Sequence, residues 1–154
     1  MLSRVGDHPV WHRWKTAQRL ALLVAFEDSV AGMRVKEFCR DLTRCVGRQC
    51  QIVEHVWLFS TLRQRELQEI AADEVLEADL IIISVPRAEE LPGGVKRWID
   101  LWLRRKGSRP GVLVALLDPP YDGAPFSTEA YLQLVAKRGR MEFLVESLDV
   151  TTPH

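Results

Sequence analysis

The sequence predicts one α/β domain, in which helices cover both faces of a five-stranded parallel sheet with strand order 2-1-3-4-5. Five short apolar runs alternate with amphipathic stretches of helical period, as is typical of right-handed β-α-β crossovers. Residues 80–83 and 112–117 are apolar without interruption, as expected of central strands that helices cover on both sides. The length of 154 residues is that of a single domain.

The five apolar runs give the predicted strands. They span residues 20–26, 51–59, 80–85, 112–117 and 142–145. Glu54 and His55 place polar side chains inside the second run, which favours an edge position for that strand.

Apolar residues at three- and four-residue steps predict four helices, over residues 32–46, 62–78, 92–107 and 127–137. Pro92 and Gly107 mark the two ends of the third helix, and Ser127 is the expected N-cap of the fourth. The expected inward side chains are Val35, Phe38, Cys39, Leu42 and Val46, then Leu67, Ile70 and Ala71, then Val95, Trp98, Ile99, Trp102 and Leu103, then Tyr131, Leu134 and Val135.

The two ends of the chain lead to a further expectation. Residues 147–154, after the fifth predicted strand, are too few for the closing helix of this architecture. Before the first strand, Asp7 is a suitable cap for a short helix with Val10, Trp11 and Trp14 on one side. We therefore expect residues 1–18 to form an N-terminal segment that covers the place of the missing helix, in this subunit or in a partner. Residues 19–154 would form the domain itself.

Composition excludes several classes of function. The chain has 21 basic residues (Lys and Arg) and 21 acidic residues (Asp and Glu), so no net positive charge favours binding to nucleic acid or an anionic membrane. The basic clusters at 104–106 and 137–140 fall at predicted helix C-termini, where cations complement the helix dipole. Cys39, Cys45 and Cys50 lack C-x-x-C spacing, so no zinc or redox motif follows. Without an apolar leader or a membrane-length apolar run, the chain is expected to be cytoplasmic.

One stretch resembles a known family. Residues 78–100 read ADLIIISVPRAEELPGGVKRWID. This is similar to the third strand, loop and third helix of the NAD(P)H-dependent FMN reductases and the flavodoxin-like quinone reductases. The matching positions are Ala78, Asp79, Pro86, Pro92, Lys96, Ile99 and Asp100. The resemblance implies a flavodoxin-like fold, FMN as cofactor, and contact between residues 86–90 and the isoalloxazine ring.

Three loops are expected to meet at the carboxyl edge of the sheet, where open α/β sheets bind ligands. The candidate cofactor-binding residues are Glu27, Asp28, Ser29 and Gly32 in the first loop, Pro86, Arg87, Ala88 and Glu89 in the second, and Asp118, Pro119 and Tyr121 in the third. The hydroxyl of Ser29 and the backbone at Gly32 suit a phosphate at a helix N-terminus, and Tyr121 is able to stack on a planar ring.

Two departures from the family pattern weigh against FMN. Ala88 stands where the family has Tyr, and Glu27 and Asp28 occupy the phosphate loop. Like charges 4 Å apart repel by about 4 kcal/mol at an effective dielectric constant near 20. A helix dipole attracts an anion by only about 0.3–2 kcal/mol. Repulsion therefore dominates unless both carboxylates turn away.

Metal chemistry is the other alternative at this edge. Glu27, Asp28 and Asp118 are able to hold a divalent cation through oxygen ligands, but such acids are more often solvated or cap a helix. A response-regulator receiver domain needs an Asp at the end of strand three and a Lys after strand five, and residues 84–85 and 146–147 supply neither. His8 and His12 lack a third ligand. We therefore expect no metal.

Two functions remain open from the sequence. The first is an FMN-dependent oxidoreductase that reduces flavins or quinones with NAD(P)H. The second is a flavin-free binding or interaction module with a diverged site. Trp98 and Trp102, one turn apart, belong either to the core or to an apolar interface of the homodimer that the resemblance implies.

Overall fold

The computed structural model describes residues 14, 17–47, 49–107, 109–123 and 126–147. These form a five-stranded parallel sheet of order β2-β1-β3-β4-β5, and four α-helices. The strands are β1 (Arg19–Phe26), β2 (Gln51–Leu58), β3 (Leu80–Ser84), β4 (Val112–Leu117) and β5 (Glu142–Ser147). The helices are α1 (Ser29–Val46), α2 (Arg65–Val75), α3 (Gly93–Lys106) and α4 (Ser127–Arg138). The predicted flavodoxin-like architecture is confirmed.

The register aligns the strand ends. Leu80 of β3 pairs with Leu22 of β1 on one side and with Val112 of β4 on the other. Phe26, at the end of β1, lies beside Ser84, at the end of β3. Because all neighbouring strands are parallel, their carboxyl ends reach one common edge of the sheet.

Burial distinguishes the central strands from the edge. Every residue of β3 and β4 is buried, as the uninterrupted apolar runs predict. In β2, by contrast, Val56 and Leu58 are exposed. The predicted edge position of β2 is therefore confirmed, both by its pairing with β1 alone and by its exposed side chains.

The sheet separates two apolar layers. On one face α2, α3 and α4 cover alternate strand residues such as Ile81, Ile83 and Leu113. On the other face α1 packs across β1, β3 and β4 through side chains that include Phe38. Trp14 and Ala17 are partly buried against this second layer. The rest of the predicted N-terminal segment, residues 1–13 and 15–16, lies outside the described residues.

Helix starts differ from prediction for local reasons. Helix α1 begins three residues early, at Ser29, because the Asp28 carboxylate accepts a hydrogen bond from the Ala31 N–H at 3.0 Å and caps it. Helix α2 begins late, since a 3₁₀ turn over Thr61–Arg63 precedes it. Ser127 is not an N-cap but the first residue of α4, and the N-cap residue, Phe126, makes no side-chain capping hydrogen bond.

Two predicted inward residues are wrong. Ile70 of α2 and Leu134 of α4 are both exposed. In α2 the buried face instead includes Gln68, whose side-chain amide donates to the carbonyl oxygens of Leu62 and Gly94. The weak apolar stripe of this helix did not predict a buried Gln68. Its burial is tolerated because its side-chain amide is hydrogen-bonded to backbone oxygens of two neighbouring elements.

Trp98 and Trp102 belong to the core of the chain. Both are 0% exposed, and their rings meet edge to face with centroids 6.1 Å apart. Buried side chains cannot form a subunit interface, so the proposed dimer contact through them is wrong. A homodimer stays a prediction whose interface would lie elsewhere.

A close approach of backbones at Gly94 gives a testable prediction. A Cβ there would lie 3.0 Å from the Arg63 Cα and 3.1 Å from the Leu62 oxygen, whereas a Cβ at Gly93 would meet only the flexible end of Arg97, at 3.4 Å. We expect Gly94→Ala to lower the free energy of unfolding by about 1–3 kcal/mol, because a rigid backbone must shift. Gly93→Ala is the matched control and should be neutral or stabilising. Urea denaturation measures both, and equal effects would contradict the packing described.

Candidate functional site

Carboxylates from three loops gather at the carboxyl edge of the sheet. Glu27 and Asp28 follow β1, Glu89 follows β3, and Asp118 follows β4. Loss of hydration, and then the charges of Glu27, Asp28 and Asp118, raise the pKa of Glu89. These side chains are therefore close enough to interact, and the edge carries concentrated negative charge.

The first turn of α1 is hydrogen-bonded to side chains of the chain itself. Asp28 occupies the Ala31 N–H, which is one of the free donors that a helix N-terminus offers to an anion. The Ser84 hydroxyl donates to the Ala31 carbonyl oxygen at 2.8 Å and anchors this turn to β3. Gly32 faces the Phe26 ring, where a Cβ would lie 3.1 Å from a ring carbon. Gly32 thus serves packing within the chain.

Arg87 is the central polar residue of this edge. Its side chain is 4% exposed. Nε donates to the Asp118 carbonyl oxygen at 3.2 Å, Nη1 to a Glu129 carboxylate oxygen at 2.8 Å, and Nη2 to the Ser147 hydroxyl at 3.1 Å. The backbone N–H of Arg87 donates to the Asp118 carboxylate. One guanidinium thus connects the β3–α3 loop to α4 and to the ends of β4 and β5.

The remaining candidate residues lie around this network. Ser29 and Ala88 are exposed, and Pro86 and Pro119 are half-buried. Tyr121 is 51% exposed, and Phe126, on the same β4–α4 connection, is 63% exposed. The second and third loops are joined, because Asp118 contacts Arg87.

Sequence reasoning missed the partners of the β3–α3 loop. Glu129 and Ser147 bind the Arg87 side chain, and the Thr128 hydroxyl donates to the Glu89 carbonyl oxygen at 2.6 Å. These partners lie 39 to 60 residues further along the chain, where no periodic signal links them to the loop. The available hint was chemical: an Arg within a few residues of a buried strand needs hydrogen-bonding partners if its side chain is buried.

The residues present do not fit FMN. The helix N-terminus is capped by a carboxylate, and the charges at the edge repel a phosphate. Arg87 turns inward instead of facing a ligand. The cavity beside the second loop, between Glu90 and Tyr131, holds about 30 Å³, whereas ligand sites usually measure about 300–1,000 Å³.

Neither a metal site nor a membrane span is found in the part of the chain that the structure describes. Within those residues no three His, Cys, Asp or Glu side chains are grouped so that they could hold a metal ion. No described helix is long and apolar enough to cross a bilayer.

Comparison with known proteins gives similarity at the level of fold. No protein-family model matches the chain, and no curated protein matches it significantly. The Trp repressor binding protein from Bacillus subtilis is 11% identical over 84% of this chain and 87% of its own, with a TM-score of 0.46. The two-electron reduced flavodoxin of Megasphaera elsdenii, a solution structure, is 12% identical over 86% and 90%, with a TM-score of 0.45. The chain has a flavodoxin-like fold, which its own strand order defines.

The Arg87 network gives a prediction for stability. Arg87→Lys keeps the charge but loses the planar fork that reaches three acceptors. We expect the free energy of unfolding to fall by about 2–3 kcal/mol. Arg97→Lys, at an exposed position of α3, is the control and should change it by less than about 0.5 kcal/mol. Equal urea midpoints for the two variants would show that the network contributes no stability.

The raised pKa of Glu89 gives a prediction for pH dependence. Because the pKa of Glu89 is higher in the folded state than in the unfolded state, the ionised side chain opposes folding. The contribution of Glu89 to the free energy of unfolding therefore becomes less favourable as pH rises from the ordinary pKa of 4.5 through the raised pKa. Glu89→Gln should therefore raise the thermal midpoint at pH 7 and lose that advantage below pH 4.5. Glu90→Gln, at the next position, removes the same charge from an equally exposed residue and is the control. An advantage that persists unchanged at low pH would contradict the electrostatic origin.

Proposed function

We propose that the chain is a flavin-free flavodoxin-fold binding module, and that its carboxyl edge recognises a cationic group on a partner, either a guanidinium or an ammonium. The alternative is an FMN-dependent oxidoreductase that acts on flavins or quinones with NAD(P)H. The two differ in the sign of the ligand charge that this edge should attract.

The observation that carries the proposal is the group of four carboxylates from three loops. Loss of hydration, and then the charges of Glu27, Asp28 and Asp118, raise the pKa of Glu89, so these carboxylates repel one another in the chain itself. A cation placed among them would remove part of that repulsion. A phosphate placed there would add to it.

Arg87 supports the same chemistry. Within the chain, a guanidinium is held at this edge by the Asp118 carbonyl oxygen, the Glu129 carboxylate and the Ser147 hydroxyl. Charge-assisted bonds of this kind are the stronger hydrogen bonds of proteins. The exposed rings of Tyr121 and Phe126 add faces that attract cations. A cationic group of a partner could thus interact with both carboxylates and aromatic rings at this edge.

A labelled hexa-arginine peptide tests the proposal by fluorescence anisotropy. We expect the variant Glu27→Gln with Glu89→Gln to bind the peptide about 3- to 10-fold more weakly, since each exposed charge contact contributes roughly 0.2–1 kcal/mol. Glu37→Gln with Glu54→Gln removes the same charge from α1 and β2 and should bind as the wild type does. Equal losses of peptide affinity in the two double variants would show that only net charge matters, and would contradict a binding site at the carboxyl edge.

Titration with FMN distinguishes the flavin-free module from the FMN-dependent oxidoreductase. We expect the purified protein to be colourless and to leave FMN fluorescence unquenched at high micromolar flavin. Glu27→Thr with Asp28→Ser removes the two charges of the first loop and should create or tighten FMN binding if charge is what excludes the phosphate. A yellow wild-type protein, or one that quenches FMN, would contradict the flavin-free proposal.

A further inference from the structure

A cleft of about 400 Å³ lies at the amino edge of the sheet, opposite the carboxylate-rich edge. It opens where β3, β4 and β5 begin and where α2 and α3 end. Its volume falls within the range of small-molecule sites, about 300–1,000 Å³. Ligands of wound parallel sheets bind at the other edge, so this cleft has no role in the site described above.

The cleft has an apolar floor and one aromatic wall. Ile81, Val112 and Met141 are buried side chains that line it. Trp14, half-buried, lines it as well. An indole beside aliphatic side chains suits a planar apolar group.

Three cationic side chains line the same cleft. Lys106 is 6% exposed, and its Nζ donates to the carbonyl oxygens of Arg109 and Gly139. Arg109 and Arg140 are exposed. Among the described residues, neither arginine has an ion pair with a carboxylate, whereas Arg105 nearby binds both Glu69 and Asp73.

Three acids line the cleft together with these cations. The Asp79 carboxylate accepts a hydrogen bond from the Ala21 N–H at 2.8 Å. Glu142 already has an interaction of its own within the chain. Glu77 is the third acid and is exposed to solvent. Arg109 and Arg140 are thus exposed cations of this cleft, and Glu77 is its exposed acid.

The electrostatics of Lys106 agree with this picture. Burial, and then the positive charge of Arg109, lower its pKa. The two cations are therefore close enough to repel each other. An anion close to both would interact favourably with each of them.

Arg140 has a backbone conformation that favours glycine. Its φ is 55°, and it is the one non-glycine residue with a positive φ in the part of the chain that the structure describes. The position follows the end of α4, where glycine is the common choice. Arg140 lines the cleft although this backbone conformation is unfavourable for a residue with a side chain.

We infer that the amino-edge cleft is a second ligand site that takes a small organic anion with a planar apolar body. Arg109 and Arg140 bind the anionic group, and Trp14, Ile81 and Met141 hold the apolar part. The site rests on other residues than the proposed cation-binding edge, so either is able to fail without the other.

Three naphthalene probes of matched size test the inference: 1-naphthalenesulfonate, neutral 1-naphthalenemethanol and cationic 1-naphthylmethylammonium. Calorimetric titration into the full chain should give binding of the sulfonate at least about tenfold tighter than of the other two. Amide chemical-shift changes on adding the sulfonate should centre on residues 77–81, 109–112 and 140–142. No sulfonate binding at low millimolar concentration, equal affinity for the neutral probe, or shifts centred elsewhere would overturn the inference.

Two variants and a control separate binding from folding. Arg109→Gln and Arg140→Gly should each weaken sulfonate binding about tenfold or more. Arg140→Gly should also keep its thermal midpoint at or above that of the wild type, because glycine suits the positive φ. Arg138→Gln, on the same helix end but outside the cleft, should bind normally. Unchanged affinity in Arg109→Gln and Arg140→Gly would refute the assignment.

Discussion

The carboxyl edge of this protein depends on one buried guanidinium. Removing a charge from water is costly unless it is paired and hydrogen-bonded, so Arg87 occupies its position only because Glu129, Ser147 and Asp118 all supply acceptors. In return, the side chain holds the β3–α3 loop against the ends of β4 and β5. Stability of this edge therefore depends on one guanidinium.

Charge distinguishes the two edges of the sheet. At the carboxyl edge, helix N-termini normally favour anions, but here Asp28 caps α1 and three further carboxylates lie close by. At the amino edge, helix C-termini normally favour cations, and Lys106 binds carbonyl oxygens there. Arg109 and Arg140 place two further positive charges at this edge, in addition to that of Lys106. Carboxylates thus gather at the carboxyl edge of the sheet, and Lys106, Arg109 and Arg140 lie at its amino edge.

The sequence predicted the architecture well because alternation of strands and helices is a local signal. The uninterrupted apolar runs of β3 and β4 and the polar Glu54 and His55 of β2 located the centre and edge of the sheet correctly. Helix starts were less accurate, because capping by Asp28 and the 3₁₀ turn before α2 depend on single side chains and on tertiary packing. Ile70 and Leu134 were misplaced for a similar reason, since a weak stripe does not fix helix rotation.

The candidate site was predictable only in part. Topology placed Glu27, Asp28, Glu89 and Asp118 at one edge, because parallel strands end together, and this convergence is observed. The contacts of Arg87 with Glu129 and Ser147 join positions 42 and 60 residues apart, and no sequence period encodes them. The amino-edge cleft was missed because sequence reasoning for this fold directs attention to the carboxyl ends of the strands.

Side-chain NMR of the arginines can show whether the Arg87 guanidinium is buried and bonded at the carboxyl edge. In a ¹⁵N-resolved spectrum of the guanidinium groups, the Arg87 Nε–H should exchange with solvent far more slowly than that of an exposed arginine such as Arg97, because it is buried and bonded to Asp118. Its resonance should remain unchanged when FMN is added. An Arg87 signal that exchanges as fast as the exposed arginines, or that shifts on addition of FMN, would contradict a closed, flavin-free edge.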